Sequence, residues 1–144
     1  IVYEKQTNET KKLTNFFEKL GSIVEIVNTE YHDRILAITS HLPHLIAYTI
    51  VGTASDLETD LKNDVIKFSA SGFRDFTRIA SSDPIMWRDV FLNNSDAVLE
   101  MIQRFNEDLS DLQEAIRKKD GDKLHSFFSR TRSIRKKIID AGQI

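Results

Sequence analysis

Most of the chain carries apolar residues at the three- and four-residue spacing that is typical of α-helices. The first such pattern runs from Thr10 to Leu20, and Gly21 follows it, where a helix-ending glycine belongs. The next segment, Ile23–Val27, is rich in β-branched residues and predicts a short strand. A helix, a glycine and a short strand form the closing half of a βαβ unit. The remainder of its sheet is missing from this sequence.

A second helical pattern covers residues 29–51 and is apolar around most of its circumference, so this helix is expected to be central. Asn28 or the threonine after it is a suitable N-cap. Pro43 lies inside the pattern. Because proline lacks a backbone N–H and clashes with the preceding turn, we expect a kink beside His41 and His44. Polar groups in an otherwise apolar helix are costly, and they indicate a site.

The rest of the chain predicts further helices separated by Gly52–Ser55, Pro84 and Gly121. They cover residues 57–68, 73–79, 84–92, 96–116 and 124–138. In the fourth of these, for which Asn94, Ser95 or Asp96 is a possible N-cap, apolar residues step by four and three along a heptad seam: Val98, Ile102, Phe105, Leu109, Leu112 and Ile116. About three heptads are short for a free coiled coil, so the seam favours antiparallel bundle packing within or between subunits.

Composition excludes several classes of protein. The net charge of −2 provides no basic field for nucleic acid. No apolar run reaches the length of a membrane span and no signal peptide is recognisable, so we expect a cytoplasmic protein without a membrane partner. The absence of cysteine fits a reducing compartment. The chain begins with Ile1 rather than methionine, and we expect it to be a piece of a longer polypeptide.

Two histidines and one arginine are the main candidates for ligand contacts. His41 and His44 are three residues apart and share a helical face, but no third ligand has matching spacing, so we predict no metal site. They are expected to be ligand-facing donors, with hydrogen-bonded core histidines as the alternative. Apolar neighbours of Arg78 predict a guanidinium near the core that needs an anion. The alternative is an internal ion pair with Asp75, Asp83 or Asp89.

An aromatic side chain completes the candidate set. Trp87 offers a wall for a ring-shaped ligand, although a single tryptophan at helical spacing is also typical of a core. No glycine-rich dinucleotide motif, phosphate-binding loop or nucleophile elbow occurs in the sequence. The chain therefore holds at most half of an active site.

Several ordered motifs resemble the prephenate dehydrogenase family, which includes arogenate and cyclohexadienyl dehydrogenases. They are His32-Asp33, Ser40-His41-Leu42-Pro43-His44, Gly72-Phe73-Arg74-Asp75-Phe76-Thr77-Arg78-Ile79-Ala80 and Asp83-Pro84-Ile85-Met86-Trp87. The resemblance covers nearly the whole chain. It implies an all-α fold, a helical bundle dimerisation domain like the C-terminal domain of 6-phosphogluconate dehydrogenase, over residues 29–144. Residues 1–28 would then be the terminal helix and strand of a truncated dinucleotide-binding (Rossmann) domain.

The resemblance also implies a function for these residues. The family oxidises prephenate or arogenate by hydride transfer to NAD or NADP, with loss of carbon dioxide, in tyrosine biosynthesis. Arg78 would bind a substrate carboxylate, and His44, His41 and Trp87 would line the substrate pocket. The catalytic histidine and most cofactor contacts would belong to the missing domain, so this fragment alone is expected to be an inactive homodimer. The alternative is a non-catalytic helical interaction module, which periodicity by itself does not exclude.

Overall fold

The structure is a computed structural model that describes residues 7–56, 64–65, 67–140 and 142. These residues are almost entirely helical, which confirms the predicted all-α fold. The helices are α1 (Asn8–Lys19), α2 (Thr29–Leu36), α3 (Leu42–Ser55), α4 (Ser71–Thr77), α5 (Pro84–Asn93), α6 (Ser95–Arg117) and α7 (Gly121–Asp140). A π-helical turn (Ala37–His41) precedes α3, and a 3-10 turn (Arg78–Ser81) follows α4.

The chain divides into two compact units, Ile1–Met101 and Ile102–Ile144. The first contains α1 to α5 and the start of α6, and the second contains the remainder of α6 and α7. This division does not bear on the predicted boundary after residue 28, which stays a prediction. The predicted helix over residues 57–68 lies largely outside the described residues.

Helix α1 ends as the glycine predicted, but the strand after it does not form. Gly21 has φ +84°, and the N–H groups of Gly21 and Ser22 donate to the carbonyls of Glu18 and Phe17 at 2.9 and 3.1 Å. This is the Schellman arrangement, in which a left-handed glycine satisfies the last helical carbonyls. The prediction of a strand over Ile23–Val27 is wrong: the described residues contain no strand, and Val27 alone forms an isolated bridge. A β-branched run becomes a strand only beside a second strand.

Helices α2 and α3 and the π-helical turn between them form the continuous central helix. Asn28 caps it as predicted, because its side-chain oxygen accepts from the Tyr31 N–H at 2.8 Å. A kink was predicted beside Pro43, and the structure has a π turn directly before it, in which the Leu42 N–H bonds to the Ala37 carbonyl five residues back. The wider turn places Pro43 in the first turn of α3, where its missing N–H costs little.

The central helix is longer than was predicted, and the expectation that no apolar segment reaches the length of a membrane span is wrong. It runs through Gly52 to Ser55, so the expected break at Gly52 is wrong, since a glycine weakens a helix without necessarily ending it. Over Thr29–Ser55 its length and composition would allow it to cross a membrane. The same helix carries the buried Ala37 and Ala47 and packs against α4 and the 3-10 turn. The core helix of a protein can be equally long and apolar, so length and composition do not distinguish a core helix from a membrane-spanning one.

The segment from α4 to α5 packs on α3 and fixes its orientation. The Tyr48 hydroxyl on α3 donates to the Ser82 carbonyl at 2.7 Å, immediately before α5. Asp83 caps α5 by accepting from the Met86 N–H at 2.8 Å, and Pro84 occupies the first turn as predicted. The core of the first unit consists of small and large apolar residues: Ala37, Leu42, Ala47, Trp87 and Val98.

In the second unit the predicted seam is only partly covered. Helix α6 carries all six seam residues, of which Leu109 is 51% exposed and Ile116 is 64% exposed. These two residues line an apolar groove of about 510 Å³, together with Leu112, Leu124 and Phe128. Only Ala115 is buried among the described residues of this unit. The second unit therefore exposes a continuous apolar surface within a single chain.

Candidate functional site

The π turn and the junction of α5 and α6 bring His41 and Asn94 together. His41 is only 7% exposed. The Asn94 side-chain nitrogen lies 2.9 Å from the Asp33 carbonyl oxygen and 3.2 Å from Nδ1 of His41. Asn94 was predicted only as a possible N-cap of α6. Its side chain instead crosses to α2 and the π turn, and no spacing in the sequence signals that contact.

His44 lies one turn further along and stacks on Trp87. The two ring centroids are 3.7 Å apart with an interplanar angle of 24°. Nδ1 of His44 is 2.8 Å from the Ser40 carbonyl oxygen. A carbonyl oxygen only accepts, so Nδ1 carries the proton and Nε2 of neutral His44 is an acceptor. His41 meets the same indole edge-on at 6.1 Å, so the structure brings His41, His44 and Trp87 into one cluster.

Trp87 is a buried member of this cluster and connects it to Phe91. It is 7% exposed, and its ring also contacts Phe91 with centroids 5.6 Å apart. The core position that the sequence left open as an alternative is therefore the one observed. Its indole Nε1–H is buried and has no hydrogen-bond partner among the described residues. Buried donors of this kind are uncommon, and an acceptor brought by a ligand or by water would satisfy it.

Arg78 does not lie near the core, and the expectation of a buried guanidinium is wrong. Its side chain is exposed, and the residue lies at the start of the 3-10 turn. The alternative internal ion pairs do not form within the described part of the chain. Asp75 pairs with Arg74 at 3.6 Å, Asp89 pairs with Arg88 at 2.8 Å, and Asp83 caps α5.

Arg78 and His44 lie on elements that pack against each other. The 3-10 turn that carries Arg78 packs against α3, the helix that carries His44. No hydrogen bond joins Arg78 to either histidine in the described ranges. Across those ranges there is also no group of three side chains that could hold a metal ion. His41 and His44 use Nδ1 for different partners on the protein, which leaves an Nε2 on each for other contacts.

The surroundings of His41 affect its protonation. Burial lowers the pKa of His41; the positive forms of His32 and His44 act in the same direction, while the Asp33 carboxylate opposes them. Asp33 is itself bonded to His32, with Nδ1 and Oδ1 2.9 Å apart. The neutral imidazole is therefore the form that the folded chain favours.

Acid is expected to destabilise the chain through His41. Below the unfolded-state pKa of about 6.5, the unfolded chain binds a proton at this residue that the folded chain does not. The free energy of unfolding should therefore fall as the pH drops from about 6.5 toward the lowered folded-state pKa. Urea titrations at several pH values would measure this slope. The slope should decrease in His41→Gln and persist in His125→Gln, a control at an exposed histidine; equal slopes in all three proteins would contradict the assignment.

Residues 28–130 match the family described as prephenate dehydrogenase, dimerization domain. The chain belongs to the prephenate dehydrogenase family. It is 38% identical over 123 residues to a cyclohexadienyl dehydrogenase from Zymomonas mobilis, covering 85% of this chain and 42% of that protein. It is 32% identical over 125 residues to a prephenate dehydrogenase from Bacillus subtilis, covering 87% of this chain and 33% of the relative. The chain therefore spans less than half the length of these relatives.

Solved structures of prephenate dehydrogenases share the fold. One is the enzyme from A. aeolicus in complex with hydroxyphenyl propionate and NAD+, with a TM-score of 0.84 and 36% identity. The match covers 94% of this chain and 48% of that one. Synechocystis arogenate dehydrogenase has a TM-score of 0.85 at 24% identity, with 94% and 51% covered, and shows the likeness of fold. The family resemblance inferred from the ordered motifs is confirmed.

Proposed function

We propose that this chain is the substrate-binding and dimerisation part of a prephenate or arogenate dehydrogenase in tyrosine biosynthesis. The observation that carries the proposal is the exposed Arg78. Its guanidinium is free of ion pairs within the described residues, because the nearby aspartates have other partners. An arginine with two parallel N–H donors is well suited to bind a carboxylate. Prephenate and arogenate share the ring carboxylate, so Arg78 would serve either substrate.

The chain's own residues would position the substrate. Arg78 would hold the carboxylate, while His41 and His44, which belong to the aromatic cluster, would contact other oxygens of the substrate. Fixing the substrate in this way would keep the reacting C–H near the nicotinamide. NAD or NADP would accept the hydride when bound. The sequence has no glycine-rich βαβ turn, so we infer that the dinucleotide is held mainly by a region outside residues 29–144.

The division of labour predicts that the 144-residue chain binds NAD+ or NADP+ much more weakly than the full-length protein. Isothermal titration calorimetry of both proteins with each cofactor would measure the difference. We expect no saturable binding to the chain at concentrations that saturate the full-length protein. Comparable affinity in the two proteins would contradict the assignment of the cofactor to a missing domain.

The use of such a cofactor and the lack of cysteine both fit a cytoplasmic location.

The apolar groove on α6 and α7 supports a homodimer. Leu109, Ile116 and Phe128 are each more than half exposed, and together they form a surface that a second copy could cover. Subunit interfaces bury such apolar surfaces. The alternative function, a helical interaction module without catalysis, would use the same groove. Turnover of prephenate or arogenate by the full-length protein would distinguish the two, because an interaction module would not catalyse this oxidation.

A charge in the groove is expected to dissociate the dimer. Ile116→Glu would place a carboxylate on apolar surface, and we expect a shift from dimer to monomer in light scattering coupled to size-exclusion chromatography. Ser129→Glu, which adds the same charge at an exposed position of α7, is the matched control and should remain dimeric. A dimeric Ile116→Glu variant would place the subunit interface elsewhere.

A further inference from the structure

Asn94 connects three helical segments, and the contacts of its side chain are separate from the capping contacts of its main chain. Its main chain lies between α5 and α6, where its N–H donates to the Val90 carbonyl and its carbonyl accepts from the Val98 N–H. Its side chain extends to the Asp33 carbonyl on α2 and to Nδ1 of His41. The side chain is therefore held at a fixed place relative to the histidine.

The chemistry of these partners determines which ring nitrogen of His41 bears the proton. The Asp33 carbonyl oxygen can only accept, so the Asn94 atom that faces it must be the amide nitrogen. That nitrogen has a second hydrogen, which it directs at Nδ1 of His41. Nδ1 must then accept, and the proton of the neutral ring lies on Nε2. A proton on Nδ1 would set two donors against each other.

The result is the opposite tautomer from that of the neighbouring histidine. Nδ1 of His44 donates to the Ser40 carbonyl, which leaves an acceptor at Nε2. His41 has a donor at Nε2. The two histidines of one cluster thus present different hydrogen-bonding groups, and each is set by a single partner on the protein.

We propose that Asn94 is a positioning residue that holds His41 as the neutral tautomer with its proton on Nε2, so that Nε2–H donates to a substrate oxygen. The part that concerns substrate rests on the proposed function. The part that concerns the tautomer rests on geometry alone. Among the described residues, the charged or titratable groups that act on His41 are Asp33, His32 and His44, and no hydrogen bond joins any of their side chains to Nδ1.

The isosteric variant Asn94→Asp tests the assignment directly. A carboxylate at this place accepts hydrogen bonds, so it should draw the His41 proton to Nδ1 and favour the protonated ring. Long-range ¹H–¹⁵N spectra of the full-length protein labelled with ¹⁵N-histidine would identify the protonated nitrogen. The signals of His41 would be assigned by their absence in His41→Gln. Asn93→Asp is the matched control, since Asn93 is exposed and its side chain bonds within α5 to the Asp89 carbonyl.

We expect Nε2–H in the parent protein and in Asn93→Asp, and Nδ1–H or a protonated ring in Asn94→Asp. Nδ1–H in the parent, or an unchanged tautomer in Asn94→Asp, would overturn the inference. A tautomeric change would also be expected to lower kcat/KM about tenfold or more in Asn94→Asp, since a donor facing the substrate is lost. A changed tautomer with unchanged kcat/KM would overturn the donor role of His41. If the parent turns over neither prephenate nor arogenate, the proposed function fails while the tautomer result stands.

Discussion

Replacing Arg78 with alanine is expected to lower kcat/KM for prephenate or arogenate about 10- to 100-fold in the full-length protein. A hydrogen-bonded charge pair contributes about 1.5 to 3 kcal/mol, and each 1.4 kcal/mol corresponds to roughly a factor of ten. The loss should appear mainly as a raised KM, because the guanidinium would bind the charged ring carboxylate in the substrate and would still hold it while the hydride leaves, before that group departs as carbon dioxide. Production of NADH or NADPH, followed by absorbance, measures both constants.

Two variants make the Arg78 experiment specific. Arg78→Lys keeps the charge but loses the two parallel donors, so it should recover only part of the affinity. Arg74→Ala removes a cation one turn earlier that is exposed and paired with Asp75, and it should leave the kinetics nearly unchanged. Equal losses in Arg74→Ala and Arg78→Ala would indicate a general effect of positive charge. Unchanged kinetics in Arg78→Ala would remove this residue from the proposed site.

Replacing Trp87 with alanine is expected to reduce the free energy of unfolding by about 3 to 5 kcal/mol. The indole is 7% exposed and lies between His44 and Phe91, so its removal leaves a cavity beneath the aromatic cluster. Urea unfolding followed by circular dichroism would measure the change. Trp87→Phe retains an aromatic ring and should lose less.

The control for Trp87 lies two residues away in the same helix. Ile85 is 60% exposed, and Ile85→Ala should change stability by no more than about 0.5 kcal/mol. A loss below about 1 kcal/mol in Trp87→Ala would mean that the indole does not support the core. Measuring KM for the same variants would separate two roles of Trp87, support of the His44 ring and direct contact with the substrate. Only direct contact would raise KM in Trp87→Phe without loss of stability.

The sequence predicted the helices well because their signals are local. Asn28, Gly21 and Pro84 act on the turn in which they stand, and the structure finds each in the expected role. The strand over Ile23–Val27 was wrong for a related reason. Its β-branched composition is local, but a strand exists only through hydrogen bonds to another segment. The order of the motifs, independent of geometry, was sufficient to indicate the family.

Tertiary structure decided the state of each candidate side chain. The apolar neighbours of Arg78 predicted a position near the core, yet its side chain is exposed in the 3-10 turn after α4. A change of helix type alters the angle between successive residues, and therefore the side of the helix on which each residue lies. Trp87 became a buried support for His44 rather than an open wall, since α5 packs with that face toward α3. The contact of Asn94 with His41 joins residues that are 53 positions apart. Local sequence determined which segments are helices, and only packing determined which polar atoms meet, because hydrogen-bond partners on different helices depend on how those helices are arranged.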